Sequence, residues 1–250
     1  MSNLDSENPP PTIAPGWFAS THWSVVLLAG QSSSSKAEEA LARLCNVYWF
    51  PLYAFIRRQG HNPADAEDLT QAFFARFLEK DYVKDVDQRK GKFRSFLLAS
   101  LKHFLADQWD RSQAEKRGGG MALISLDAQT AETRYLLEPR DNLAPDRIFE
   151  RRWALTLLEQ AMARLREEFT LAGKADFFDR LKNFMTAEKD ADTYADAAAK
   201  LSTTEAAVKM AVQRMRRRYR ELLRSEIANT VSDPAEIDEE LRHLAEALRV

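Results

Sequence analysis

A chain of 250 residues can bury one large core or two small ones, and its formal net charge of -2 argues against a uniformly basic nucleic-acid binder. The one cysteine, Cys45, excludes an intrachain disulfide and leaves too few thiols for a Cys-based zinc or iron–sulfur site, which fits a reducing compartment. No apolar run near the N-terminus approaches the roughly 20 residues of a membrane span, and no basic segment with a cleavage site precedes one, so the expectation is a cytoplasmic protein with neither secretion nor membrane anchoring.

With 8 glycines, 9 prolines and abundant helix formers, the elements predicted are helices throughout. Pro9, Pro10, Pro11 and Pro15 mark a flexible arm, followed by a short helix around Trp17, Phe18 and Trp23 to Leu28 and a linker-like tract from Gln31 to Ser35. From Glu38 to Gln59, Leu41, Leu44, Tyr48, Leu52 and Phe55 recur at helical spacing, and Gly60 stands where a glycine would end the helix. Asn62-Pro63 opens the next helix as N-cap and first helical residue, with Asp65, Glu67 and Asp68 in its positive first turn. Leu69, Phe73 and Phe77 then form its buried stripe. After a charged connector, Gly91 to Trp109 is a third helix with Phe93, Phe96, Leu97, Leu101, Phe104 and Leu105 facing inward.

Residues 112–146 hold Gly118-Gly119-Gly120, Pro139 and Pro145 with little periodicity, which predicts a linker with a short ordered piece at Ala122–Leu126. A long helix follows from Ile148 to Phe169, a shorter one from Asp176 to Met185, and two more between Tyr194 and Arg224, broken at Leu201-Ser202-Thr203. Pro234 to Leu248 is an acidic amphipathic helix. The expected fold is all-α: two small helical domains joined by a flexible linker, the C-terminal one a helix-turn-helix. The divisions are an N-terminal arm at 1–37, a first module at 38–117, a linker at 118–145, a second module at 146–230 and the acidic helix at 231–250. The arm's aromatic segment and the acidic helix are either packing caps or masks over the binding faces.

The near-neutral total hides alternating blocks. Residues 65–87 carry seven acids and three bases, 89–117 eight bases and three acids, 200–224 eight bases and two acids, and 226–250 seven acids and two bases, a pattern that suggests several different partners. In the segment from Tyr194 to Tyr219, a short Ala-rich helix lets a second helix approach closely, and Thr203 or Thr204 caps that second helix after a tight turn. Val208, Val212, Met215, Tyr219 and Leu222 fall at four- and three-residue steps and face the core, leaving Lys209, Gln213, Arg214, Arg217 and Arg220 outward. Side chains at the start of such a helix reach base edges in a major groove while flanking arginines suit phosphates, so Thr204, Ala207, Lys209, Gln213, Arg214 and Arg217 are the candidate duplex-DNA contacts. The competing explanation is a solvated basic face on an ordinary helix.

Between Lys90 and Arg117, bases interleave with aromatics, a composition suited to single-stranded DNA. Since Phe93, Phe96 and Phe104 sit at inward spacing, the candidate contacts there are Lys92, Arg94, Lys102, His103, Asp107 and Arg111.

The order of these features resembles an extracytoplasmic-function sigma factor of bacterial RNA polymerase, within the sigma-70-type family. Asp65-Ala-Glu-Asp-Leu-Thr-Gln-Ala-Phe-Phe-Ala-Arg-Phe-Leu78 is similar to that family's polymerase-binding helix. Phe93 to Arg111 resembles its promoter-melting helix, with Asp107 and Arg111 matching its usual Asp and Arg and His103 standing where Asn is common. Tyr194 to Arg218 resembles its C-terminal helix-turn-helix, including Val208-Lys209, with Ala197 and Ser202 where Ile and Gly are frequent. The resemblance implies that Asp65, Glu67, Asp68 and Gln71 bind core RNA polymerase. The first module would dock on the largest subunit's clamp helices and capture the unpaired minus-ten strand of promoter DNA, while the second reads the minus-thirty-five element, with the polymerase flap a further contact. An anti-sigma factor or another regulator is a partner class the resemblance admits, and no cofactor is implied.

Three other readings compete, one of them a purely protein-binding helical adaptor, which leaves the basic recognition helix unexplained. A helix-turn-helix regulator acting without replacing a sigma factor needs only the second module and leaves residues 63–111 unexplained. An enzyme finds no support, because His22, His61, His103 and His243 lack metal-ligand spacing such as H-E-x-x-H. The run at Gly118 lacks the Lys-Ser/Thr of a phosphate loop, so no catalytic or metal-binding residue is expected.

Overall fold

The computed structural model describes residues 35–78, 92–114, 128–136, 143–185, 193–231 and 233–249, and every regular element among them is helical. The expected arm, the Trp17–Leu28 helix, the charged connector at 79–91 and the linker segment holding Gly118 to Gly120 and Ala122–Leu126 lie outside the described residues.

Helix α1 spans Ser35–Arg58 and α2 spans Pro63–Leu78. Gly60 separates them at φ +100°, donating its N–H to the Arg57 carbonyl at 3.1 Å, the left-handed conformation that a glycine adopts without steric penalty. Asn62 caps α2 as its sequence predicts, its Oδ1 accepting the Asp65 N–H at 2.9 Å. Helix α3 covers Phe93–Ala114 and runs past the Trp109 boundary expected from periodicity. Together these helices enclose an aromatic core in which Phe73, Phe77, Phe93, Phe104 and Tyr48 are all buried. The Phe73 ring meets that of Phe104 edge-on at 5.7 Å, and Tyr48 meets Phe93 likewise at 5.0 Å, arrangements that suit the quadrupoles of the rings.

Within the expected linker, Ala128–Leu136 forms a further helix, α4, and corrects the sequence reading at that point. It lies against α1, where Glu132 accepts hydrogen bonds from Arg57 at 2.8 and 2.9 Å and from the Tyr53 hydroxyl at 2.5 Å. Bonds from Arg57 in particular hold the Glu132 carboxyl below the ordinary carboxylate range.

Helix α5, Pro145–Leu171, connects the two halves of the fold. Its buried residues Phe149, Trp153, Leu157, Ala161 and Leu165 recur every fourth position. Four residues advance a helix by about 400°, so the stripe drifts roughly 40° per step and turns through about 160° from Phe149 to Leu165. The N-terminal part therefore presents its apolar face to α1 and the C-terminal part to a later helix, α8 (Glu205–Ala228). One continuous core results.

Helix α6, Ala175–Leu181, ends in a 3-10 turn at Lys182–Phe184; α7 spans Tyr194–Lys200 and α8 spans Glu205–Ala228. After a 3-10 turn at Pro234–Glu236, α9 spans Ile237–Ala247 and packs Ile237, Leu244 and Ala247 into the space bordered by α5 and α8. No described helix is long and apolar enough to cross a membrane.

Candidate nucleic-acid interface

The α7–α8 pair is set by two caps and one strained turn. Thr193 starts α7 with a reciprocal arrangement, accepting the Asp196 N–H at 3.1 Å while its own N–H donates to the Asp196 carboxylate at 3.1 Å. That Thr-x-x-Asp signal is legible in the sequence as a helix start. Helix α7 closes with Thr203 N–H on the Ala198 carbonyl at 3.0 Å and Ser202 N–H on Ala199 at 3.2 Å, a Schellman closure that requires left-handed backbone at Ser202. Ser202 adopts φ +52°, a conformation that glycine would take with less strain. Thr204 then caps α8, its hydroxyl accepting the Ala207 N–H at 3.2 Å.

Buried Ala197 and Ala198 give α8 room to approach, and Val208, Val212, Met215 and Leu222 are buried as the four- and three-residue steps predict. Tyr219 is half-buried, donating its hydroxyl to the Leu158 carbonyl at 3.1 Å. Of the basic residues of α8, Arg224 reaches Asp238 of α9, Arg220 is exposed, and the rest behave in two ways. Arg216 and Arg218 turn back to the fold, Arg216 onto the Phe184 carbonyl and Arg218 onto Glu168 at 2.6 and 2.9 Å. Lys209, Gln213, Arg214 and Arg217 are exposed, together with Thr204 and Ala207. Lys209 pairs with Glu205 at 2.6 Å and stands over the Tyr194 ring at 5.6 Å, and Arg217 pairs with Glu221 at 3.3 Å. Such exposed same-helix pairs are worth a few tenths of a kcal/mol and yield readily to a phosphate.

In the first half, Asp65 and Asp68 are exposed on α2, while Glu67 and Gln71 are partly covered and bonded to each other at 3.0 Å. Asp65 and Asp68 line one wall of a cleft of about 540 Å³ whose other wall is Lys102 and Trp109 of α3. Lys102 also pairs with Asp146 at 2.8 Å. His103 is exposed beside it, and Asp107 pairs with Arg76 at 3.2 Å. The side chain of Arg111 lies outside the described residues.

Lys92 and Arg94 are placed differently from the exposed contacts the sequence predicts. Lys92 lies 2.8 Å from both Glu239 and Glu240 of α9. Arg94 is 5 % exposed, bonds Glu240 through Nε at 2.9 Å, also bonds Glu150, and stacks over the Trp153 ring at 5.1 Å. Burial opposes ionisation of Glu240, but hydrogen bonds and charge from Arg94 and Lys92 prevail and hold its carboxyl below the ordinary value. The candidate single-strand residues thus form two groups: a covered pair at the head of α3 and, 8 to 15 residues on, an exposed set of Lys102, His103 and Asp107, roughly 12 Å or more away along the axis. Among the described residues no cluster of His, Cys, Asp and Glu has the arrangement of a metal site.

Residues 51–115 match the family model for Sigma-70 region 2, a span that takes in the last third of α1 and all of α2 and α3. No curated protein and no solved structure matches the chain.

Proposed function

We propose that this chain is a sigma factor, supported by the Sigma-70 region 2 match at residues 51–115, and, from the residue pattern of Asp65–Leu78, Phe93–Arg111 and Tyr194–Arg218, one of the extracytoplasmic-function type. It binds core RNA polymerase and directs promoter recognition and melting at transcription initiation, in the cytoplasm and without catalysis. That match is the observation that carries the reading, and a role in polymerase binding and promoter melting follows from it. In this reading Asp65, Glu67, Asp68 and Gln71 of α2 meet the polymerase clamp helices. Lys102, His103 and Asp107 of α3, joined by Lys92, Arg94 and Arg111, meet the unpaired minus-ten strand. Thr204, Ala207, Lys209, Gln213, Arg214 and Arg217 of α8 meet the minus-thirty-five duplex. The exposed acids at the start of α2 and the exposed bases of α8 support opposite-charge partners at the two ends, since complementary potential steers association and fixes register.

The test of the polymerase half is charge reversal at Asp68, which is exposed and lies outside the buried core. Asp68→Lys is expected to weaken binding to core polymerase about tenfold or more while leaving helix content unchanged, because a like charge now faces the basic docking surface. Unchanged affinity in a pull-down titration contradicts the assignment of α2.

A further inference from the structure

Cations at the first turn of a helix are out of place on stability grounds, since the unsatisfied N–H groups there already carry partial positive charge. Lys92 precedes α3 and Arg94 is its second residue, so their presence at this end points to an anion rather than to helix stability. In this structure the anions are the protein's own. Glu239 and Glu240 come from the first turn of α9, 146 to 147 positions away in sequence, and Glu150 comes from α5.

A buried ion pair is a weak source of stability compared with apolar residues of the same volume, and its best-attested use is in registers and switches. Here α9 already has an apolar anchor in Ile237, Leu244 and Ala247, so its docking does not depend on the ionic contacts alone. The carboxylates accept from the same guanidinium and ammonium N–H groups that phosphate oxygens would accept from. Lys92 and Arg94 cannot serve Glu240 and a nucleic acid at once.

We propose that α9 is an intramolecular acidic clamp: it competes with nucleic-acid phosphates for Lys92 and Arg94, and single-stranded DNA gains this cation pair only when the first turn of α9 swings away. The proposal rests on the reading of α3 as the single-strand-binding helix and adds its regulation. Apparent affinity for the strand falls by the fraction of molecules in which the clamp is open, so weakening the clamp raises it. A partner that binds α9 would act in the same direction.

The experiment compares the full chain with Glu239→Gln/Glu240→Gln, isosteric changes that keep hydrogen-bonding groups and remove both charges. Binding of a fluorescein-labelled 20-nucleotide DNA single strand is followed by anisotropy across a sodium chloride series. The clamp predicts about tenfold tighter binding by the variant and a log-log salt slope steeper by roughly 1.4, the value for two added phosphate contacts on a single strand. Adding Arg94→Gln should cancel most of the gain. A second measurement needs no variant: saturating single strand should accelerate hydrogen exchange of the amides of residues 237–247 in the unaltered chain. Equal affinity and slope in a folded variant, or exchange in α9 unaltered by bound DNA, overturns the clamp while leaving the sigma-factor reading in place. Failure of both chains to bind any single strand overturns the clamp together with the reading of α3 on which it depends.

Discussion

Alanine at both Lys209 and Arg214 is expected to lower affinity for duplex promoter DNA about a hundredfold without unfolding the protein. Both side chains stand on the exposed face of α8, near the start of the helix that Thr204 caps. A well-placed base contact is worth about 1–3 kcal/mol, and a lost phosphate contact adds its counterion-release share, so two such losses amount to roughly 3 kcal/mol, about a hundredfold in affinity. The fold should tolerate the change. Lys209 gives up only its exposed pair with Glu205 and its position over Tyr194, and alanine has the best helix propensity. The salt slope should flatten by about 0.9, the loss expected for one phosphate contact on duplex DNA. If affinity instead changes less than threefold at fixed salt, the basic face of α8 is only a solvated face.

The largest stability effect is expected at Trp153, which is fully buried at the point where α5 turns its apolar stripe from α1 toward α8. Its ring supports Arg94 at 5.1 Å, approaches the His243 ring at 6.2 Å, and its Nε1–H donates to the Tyr48 hydroxyl at 3.1 Å. Trp153→Ala should cost about 3–5 kcal/mol through lost burial and an unfilled cavity, lowering Tm by about 10 °C in a domain of this size. Trp153→Phe retains much of the burial but leaves the Tyr48 hydroxyl without its donor, so a loss of about 1–3 kcal/mol is expected. Thermal unfolding followed by circular dichroism separates these cases. Alanine tolerated within 2 °C would contradict a shared core through α5.

The contrast between Lys209 and Arg94 explains which parts of the structure can be read from sequence. The exposure of Lys209 follows from its own helix: Val208, Val212 and Met215 define an inward stripe, and the opposite face is left to solvent. The same local logic locates the Asn62 cap, the Gly60 turn and the break between α7 and α8, because each is a matter of a few adjacent residues. Arg94 is different, since its environment depends on Glu240 and Glu150, which lie 146 and 56 positions away. Helix α4 is hidden for a similar reason. Nine residues make a marginal helix alone, and Glu132 acquires its partners only when Arg57 and Tyr53 are brought alongside. The role of α5 lay between these cases: the four-residue stripe from Phe149 to Leu165 is visible in the sequence, but the two surfaces it joins are not.

The left-handed Ser202 turn shows how local grammar can be satisfied by an unexpected residue. Glycine at that position would lower the conformational cost, yet the two closing bonds to Ala198 and Ala199 and the Thr204 cap beyond it keep the geometry intact. The orientation of α8, and with it any reading of duplex DNA, follows from that short turn.

Run-off transcription tests the central claim most directly. Core RNA polymerase is supplied with a library of promoter fragments and with either the unaltered chain or Glu239→Gln/Glu240→Gln, so that a closed clamp cannot mask activity. A sigma factor predicts discrete transcripts from a subset of fragments that are absent without the protein. If neither chain yields transcripts although both bind duplex DNA, the claim is contradicted, and a helix-turn-helix regulator that does not replace a sigma factor becomes the better account.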